Sequence, residues 1–292
     1  MDHRAEIRDF LTTRRAKITP EQAGLPPGGG RRRVPGLRRE EVAILAGVST
    51  DWYTRLEKGH ISGVSEEVID AVSRALQLDE AERTHLFNLA RAAKTTKAPR
   101  RRTKPTLRPS VQRLLDSMTT AAAFVRNGRL DILAINALGR ALYAPVLDVP
   151  AHRANIARFN FLDPRAEDFY PDRDDAADTT VALLRTEAGR DPHSRELSEL
   201  IGELATRSDA FRTRWGAHNV RLHRAGVKSF RHPVAGALDL DFDAMDLLSG
   251  SSEQLTLTAY TAEPGTPSGD ALALLASWAA TQIDTSADES AR

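Results

Sequence analysis

The sequence predicts two domains of different class: an all-α helix-turn-helix bundle, followed by an α+β domain with about five antiparallel strands and helices. Three observations predict it. Within residues 37–61, two short amphipathic runs are joined by a small-residue turn at Gly47. Farther on, Asn127-Gly128 separates two β-prone apolar runs; helical patterns follow, then three more strand-like segments. Charge divides along the same line: residues 1–105 hold 21 Lys+Arg against 14 Asp+Glu, and residues 106–292 hold 20 against 26.

The whole-chain balance of +1 over 292 residues excludes a uniformly basic or uniformly acidic disordered protein, and the length suits two domains. With no Cys, the chain has no disulfide, thiol nucleophile or cysteine-ligated metal. The first residues, Met1-Asp2-His3-Arg4, lack an apolar signal core, and the apolar stretch at 271–280 is too short to span a membrane. A soluble cytoplasmic protein is expected. The opposed halves suggest a basic module that meets a polyanion and an acidic module with its own core. Charge variation between small domains explains the same numbers without any polyanion.

Taken in order, residues 5–15 read as a first helix and residues 24–30, Gly-Leu-Pro-Pro-Gly-Gly-Gly, as a loop ahead of Arg31, Arg32 and Arg33. No strand precedes that loop and no Gly-Lys-Ser/Thr follows, so it is not a nucleotide cradle. Val42, Leu45 and Ala46 line one face of a short helix, and Gly47 supplies the open backbone for a turn. Ser49 N-caps the next helix, whose Trp52, Tyr53 and Leu56 are apolar. Residues 65–76 and 79–92 give two further helices. Residues 1–92 form the first domain, and 93–109, rich in Lys and Arg and carrying Pro99, Pro105 and Pro109, a semi-extended basic linker.

"GLRREEVAILAGVSTDWYTRLEKGH" resembles the phage-repressor, or Xre-type, helix-turn-helix, with Ala43, Ala46-Gly47-Val48, Ser49, Tyr53, Leu56-Glu57 and Gly59 where that pattern expects them. The resemblance implies double-stranded DNA as partner, with the second helix in the major groove. By spacing, Thr50, Asp51, Thr54 and Arg55 reach base edges: Arg55 onto guanine, Asp51 onto cytosine N4, threonine onto a thymine methyl. Ser49 caps the helix that carries them. Arg38 and Arg39 stand where the family contacts the backbone, and Arg31, Arg32 and Arg33 suit phosphate or minor-groove contact as well as a solvated loop. Trp52 suits core packing or stacking on the sugar–phosphate chain. Asp51 could equally serve the helix dipole, and Glu57 is expected to pair locally.

The acidic half opens with a helix at 110–118, then the hairpin around Asn127-Gly128. Helical patterns follow at 137–143, 175–188, 195–206 and 209–217, strands at 227–232, 238–242 and 254–262, and a last helix at 268–283. All helices are expected on one side of the sheet, residues 110–283 forming the domain and 284–292 a disordered tail. "LDILAINALGRALYAP", "NIARFNFLDPRAEDFY", "KSFRHPVAGALDLDF" and "LTAYTAEPGTPS" resemble the MmyB-like ligand-binding domain, which follows an Xre-type helix-turn-helix in bacterial regulators. That resemblance implies a PAS-like fold with an apolar cavity for a small lipophilic, fatty-acid-like ligand. Where the family usually has Trp after Tyr170, this chain reads Pro171-Asp172-Arg173, a departure that bears on pocket shape if that Trp lines the cavity.

Candidate lining is Phe124, Ile132, Tyr143, Phe159, Phe161, Phe211 and Trp215, each of which serves equally well as ordinary core. Polar candidates are Asn136, Asn155, Arg158, Arg214, His218 and His232. His218 and His223 lie too far apart for one helical face, and no metal site is expected. No catalytic elbow, His-Glu-x-x-His helix or P-loop is present, so no catalytic residue or cofactor is assigned. The expected function is a DNA-binding transcription regulator, homodimeric, with an effector-binding C-terminal domain. The alternatives are a C-terminal domain that only dimerises, or an enzyme with a tethered DNA-binding head.

Overall fold

A computed structural model describes residues 3–26, 34, 36–94, 107–221, 223–248 and 254–290. Arg31–Arg33 and most of the expected basic linker lie outside these residues. The chain forms two compact units. The first comprises residues 1–100, 185–202 and 212–222, and the second residues 101–184, 203–211 and 223–292.

The first unit contains α1 (His3–Lys17), α2 (Arg39–Ala46), α3 (Thr50–Glu57), α4 (Glu66–Ala75) and α5 (Glu80–Lys94). Each brings an apolar stripe to one core that includes Ile7, Phe10, Leu37, Val42, Tyr53, Leu56, Val72, Leu86 and Leu89. Gly47 ends α2 at φ 66, with its N–H donating to the Ile44 carbonyl and that of Val48 to the Ala43 carbonyl. This paired closure satisfies the helix's last carbonyls, and the left-handed backbone it needs disfavours a residue with a Cβ. Ser49 Oγ then accepts the Trp52 N–H at 3.1 Å and caps α3, which starts at the next residue.

The second unit begins with α6 (Pro109–Ser117), β1 (Ala122–Asn127), β2 (Ile132–Ile135), α7 (Ala137–Leu142), α8 (Ala144–Leu147), α9 (Ile156–Leu162) and α10 (Ala166–Phe169). Then come α11 (Arg173–Arg190), α12 (Arg195–Arg207) and α13 (Asp209–Gly216), each divided between the units at the residues given above. The chain closes with β3 (Ala225–His232), β4 (Gly236–Leu247), β5 (Leu255–Thr261) and α14 (Pro267–Ser290). Past Gly269, α14 meets no further Gly or Pro, and it continues beyond the expected end at residue 283.

The sheet order is β2-β1-β5-β4-β3, antiparallel throughout. Alternation along β4 sends Leu238, Leu240 and Phe242 inward, each burial contributing about 1.5–3 kcal/mol. The expectation of helices on one side only is corrected. Along β1, Ala122 and Phe124 face the main helical layer, while Ala123 and Val125 meet Val111 and Leu115 of α6 on the other face. The α6 stripe is amphipathic and the apolar odd-numbered positions of β1 need cover, so a helix is bound there too.

The first hairpin also differs in detail from a two-residue Asn-Gly turn. Positive φ falls on Leu130, and the Asn127 side chain takes over the loop's polar groups. Its Oδ1 accepts the N–H of Arg129 and Asp131 at 3.0 and 2.9 Å, and its Nδ2 donates to Asp131 Oδ2 at 2.9 Å. A side chain that satisfies two backbone donors favours this longer loop with its bulge over the tighter turn.

Candidate functional site

Helix α3 presents two unlike faces. Tyr53, Leu56 and Glu57 are buried, whereas Thr50, Asp51 and Arg55 are exposed and Trp52 and Thr54 half-buried. The exposed set recurs at positions i, i+1, i+4 and i+5 with Thr54, one contiguous stripe. Trp52 packs its inner edge on the bundle core. Arg38 stands at the start of α2, its backbone N–H donating to Glu41 Oε2 at 2.6 Å and its Nη1 to Glu40 at 3.3 Å.

What holds this stripe in place is Glu57, which the sequence suggested would pair locally. Its carboxylate is buried and accepts four bonds from two other helices. Arg15 donates through Nε at 3.2 Å and Nη2 at 2.8 Å, Thr12 Oγ1 at 2.9 Å, and Arg39 Nε at 2.7 Å. Burial would raise the pKa of this carboxyl, but the bonds from Arg15 and Arg39 hold it below the usual carboxylate range. The end of α3 is thus tied to α1 and to the first turn of α2. Arg39 shares itself between this bond and the solvent, its side chain 49% exposed.

The second unit carries a cleft of about 540 Å³, lined by residues of α8, α10, the β3–β4 turn and α14. Its walls are mainly apolar: Ala144, Pro145, Phe169, Pro233, Val234 and Trp278. Arg165, Arg231, Asp148 and Asp168 supply the charged groups. Arg165 is already engaged, donating to the Asp163 carboxylate at 2.8 Å and to the Pro145 carbonyl at 2.9 Å. His232 is buried between two duties. Its Nδ1 accepts the N–H of Val234 and Ala235, both at 3.2 Å, leaving Nε2 to donate to the Ala141 carbonyl at 3.0 Å. Burial lowers its pKa, so the ring stays neutral and offers the cleft only its face.

Of the thirteen residues that the sequence suggested for the cavity, His232 alone borders this cleft. Phe124 and Tyr143 lie in the aromatic layer behind it, Tyr143 Oη bonding Tyr260 Oη at 2.8 Å beside Phe169 and Phe230. Phe159 packs edge-on against Phe169 at 5.7 Å, and Phe161 against Phe211 at 5.1 Å. Ile132 is half-buried on β2. Asn136 and Asn155 are helix caps: Asn136 Oδ1 accepts the Gly139 N–H at 2.7 Å and Asn155 Oδ1 that of Arg158 at 2.9 Å. Arg158 is paired with Glu203 at 2.8 Å. Trp215 belongs to the first unit.

The cleft residues that sequence reasoning missed, Phe169, Arg231, Val234 and Trp278, come from separate elements with no common spacing. Lys228, which is not part of the cleft lining, was not singled out by the sequence either. Its Nζ lies 4.8 Å from the Tyr170 ring centroid, and burial pulls its pKa down to about 8. After Tyr170, Asp172 Oδ1 caps α11 by accepting the Asp175 N–H at 2.8 Å. Among the described residues no group of three or more His, Asp or Glu could hold a metal, and no helix is long and apolar enough to cross a membrane.

Residues 9–86 match a helix-turn-helix domain, and residues 107–275, more than half of the chain, match the MmyB-like transcription regulator ligand binding domain. The chain belongs to this MmyB-like regulator family. It is a transcription regulator that joins a helix-turn-helix DNA-binding domain to a small-molecule-binding domain. A search of curated proteins finds no match. In this MmyB-like regulator, α3 lies within the helix-turn-helix match, and every residue lining the 540 Å³ cleft except Trp278 lies within the ligand-binding match.

Proposed function

We propose that this regulator reads its operator as a cytoplasmic homodimer and binds a lipophilic, fatty-acid-like effector in the cleft of its second unit. The observation that carries the effector reading is the cleft itself. Its walls are apolar, its volume of about 540 Å³ falls in the range of small-molecule sites, and Arg231 is a cation at its edge. An amphiphile with an anionic end matches that arrangement. His232 contributes one wall; Phe124, Tyr143 and Phe159 support the wall from behind.

On DNA, Thr50, Asp51, Thr54 and Arg55 are assigned to base edges, and Arg38 and Arg39 to phosphates, with Trp52 against the backbone and Arg31–Arg33 adding charge. Two copies are needed because one small head makes too few contacts for operator affinity. Sedimentation on and off DNA checks this: a monomer in both states removes the dimer.

A fluorescent fatty acid, titrated into the full chain, tests the cleft. Val234 is 48% exposed at its edge, so Val234→Asp leaves the core intact while placing a carboxylate against the ligand. Saturable binding weakened at least tenfold by Val234→Asp supports the assignment. Binding unchanged in that variant, or absent from the wild type, rejects it.

A further inference from the structure

The first unit is completed by segments outside its five N-terminal helices. Residues 185–202 and 212–222 fall inside the ligand-binding family match, yet they belong to the same compact unit as α1–α5. Arg185, in the C-terminal half of α11, is fully buried there. Its Nη1 donates to Glu6 Oε1 of α1 and lies 2.9 Å from His218 Nδ1, its Nη2 donates to the Trp215 carbonyl, and its guanidinium carbon stands 4.1 Å from the Trp215 ring centroid.

Further contacts surround that pair. Arg14 of α1 bonds Glu82 at 2.9 Å and also donates to the His218 carbonyl. Gly189 lies directly on the buried His85 ring: a Cβ there would come within 2.6 Å of His85 Cε1. His85 in turn packs edge-on against Phe10 at 4.9 Å.

This cluster is assembled unlike a permanent core. Both His85 ring nitrogens, Arg14 Nε and Arg185 Nε are buried without a protein hydrogen-bond partner. A polar network that is only partly satisfied costs stability while closed, and hydration recovers that cost when it opens. Such a cluster opens at lower cost than a fully satisfied one. It also has an output. Helix α1 carries Glu6 at one end and Arg15 at the other, and Arg15 holds Glu57 at the end of the reading helix α3.

We propose that the Glu6–Arg185 pair is a latch by which the ligand-binding domain controls the DNA-reading helix. Closed, it fixes α1 and, through Arg15 and Glu57, the pose of α3. A change in α11, whose residues 173–184 lie in the second unit, opens it and weakens operator binding. The latch rests on the regulator reading above and adds the route of regulation to it.

Its test uses the full chain and a duplex selected by the wild type from a random library. Glu6→Met and Arg185→Met singly leave a buried charge unpaired, and each should lower both melting temperature and DNA affinity. The double variant removes both charges and should recover most of the melting temperature. Hydrogen exchange then separates a latch from a structural brace. In the wild type, DNA should slow exchange within residues 173–184, as linkage between the two sites requires, and in the double variant that response should disappear while DNA affinity falls about tenfold. No DNA effect on 173–184 in the wild type, or the same effect in a well-folded double variant, overturns the latch. A chain that selects no duplex overturns the regulator reading itself, and the latch with it.

Discussion

Glu57→Ala removes the carboxylate on which α3 is hung. Arg15, its main partner, has an 11% exposed side chain, so the substitution strands a buried guanidinium. Breaking a buried pair from one side costs about 3–5 kcal/mol. Arg15 keeps its bond to the Leu37 carbonyl at 2.7 Å, which places the loss near the lower end, while the Thr12 hydroxyl adds about 1 kcal/mol. The half-exposed Arg39 contact adds at most about 0.5 kcal/mol. The expected destabilisation is about 4 kcal/mol, a large share of what a domain possesses, and roughly 10–15 °C in melting temperature. The two units need not unfold together, so the measurement is hydrogen exchange at α1 and α3 alongside calorimetry. Glu57→Met with Arg15→Met should recover much of the loss. A single-variant cost below about 1 kcal/mol, or a double variant no better than Glu57→Ala, would refute the claim that this carboxylate holds α3.

Three further outcomes are expected. Arg55→Ala should relax base preference at one operator position by about 1–3 kcal/mol, read by competition between matched and mismatched duplexes. Arg39→Ala should weaken matched and random DNA alike and lower stability slightly through its lost bond to Glu57; an equal loss on both duplexes for Arg55→Ala as well removes Arg55 from base reading. Acid should destabilise the first unit in two overlapping windows. Burial holds His85 down to about 3, so the unfolded chain takes up a proton that the folded one refuses, and stability falls as pH drops from about 6.5 toward 3. Glu6, held at about 2 by His218 and Arg185 against the upward pull of burial, contributes stability above about 4.5 that is lost as pH drops toward 2. His85→Leu should flatten the pH 6.5–4.5 portion of a urea-midpoint profile; a profile as steep as the wild type's would show that His85 titrates normally.

The helix-turn-helix was legible because its signals are local. The spacing of Val42 and Ala46, the Gly47 turn and the Ser49 cap all act within a few residues. The strands were legible for the same reason, since alternation such as Leu238-Asp239-Leu240-Asp241-Phe242 needs no distant partner to be recognised. What stayed hidden depends on contacts made across the chain. Glu57 looks like a surface carboxylate until Thr12 and Arg15, more than 40 positions away, arrive on α1. The cleft draws Phe169, Val234 and Trp278 from three elements, while the large aromatics that composition suggested as lining, Phe124 and Tyr143 among them, spend their area on one another. Arg185 shares a helical face with Val181, Ala182, Ala188 and Gly189, which points inward, but that spacing does not name its partner. Glu6, which pairs with it, stands 179 positions earlier.

Charge supplies an independent reason for the closed latch to be the DNA-competent state. Counted by compact unit, the first holds 24 Lys+Arg against 18 Asp+Glu, a balance of +6, and the second 17 against 22, a balance of −5. Residues 1–100 alone hold 18 against 14, only +4; Arg212, Arg214 and Arg221 bring three more positive charges, and residues 185–202 return one negative. Opening the latch would therefore remove a net +2 from the unit that meets DNA. Since the sequence-independent part of DNA affinity follows the cations held near the phosphates, release lowers that part even before α3 shifts. Loss of pose and loss of charge then act in the same direction, and they are separable. The charge contribution fades as salt is raised, whereas the pose contribution, assigned by the proposal to Arg55 and its neighbours on base edges, persists. An affinity gap between the wild type and the Glu6→Met/Arg185→Met variant that vanishes entirely at high salt would leave the latch only its electrostatic share and remove the mechanical route through Arg15 and Glu57.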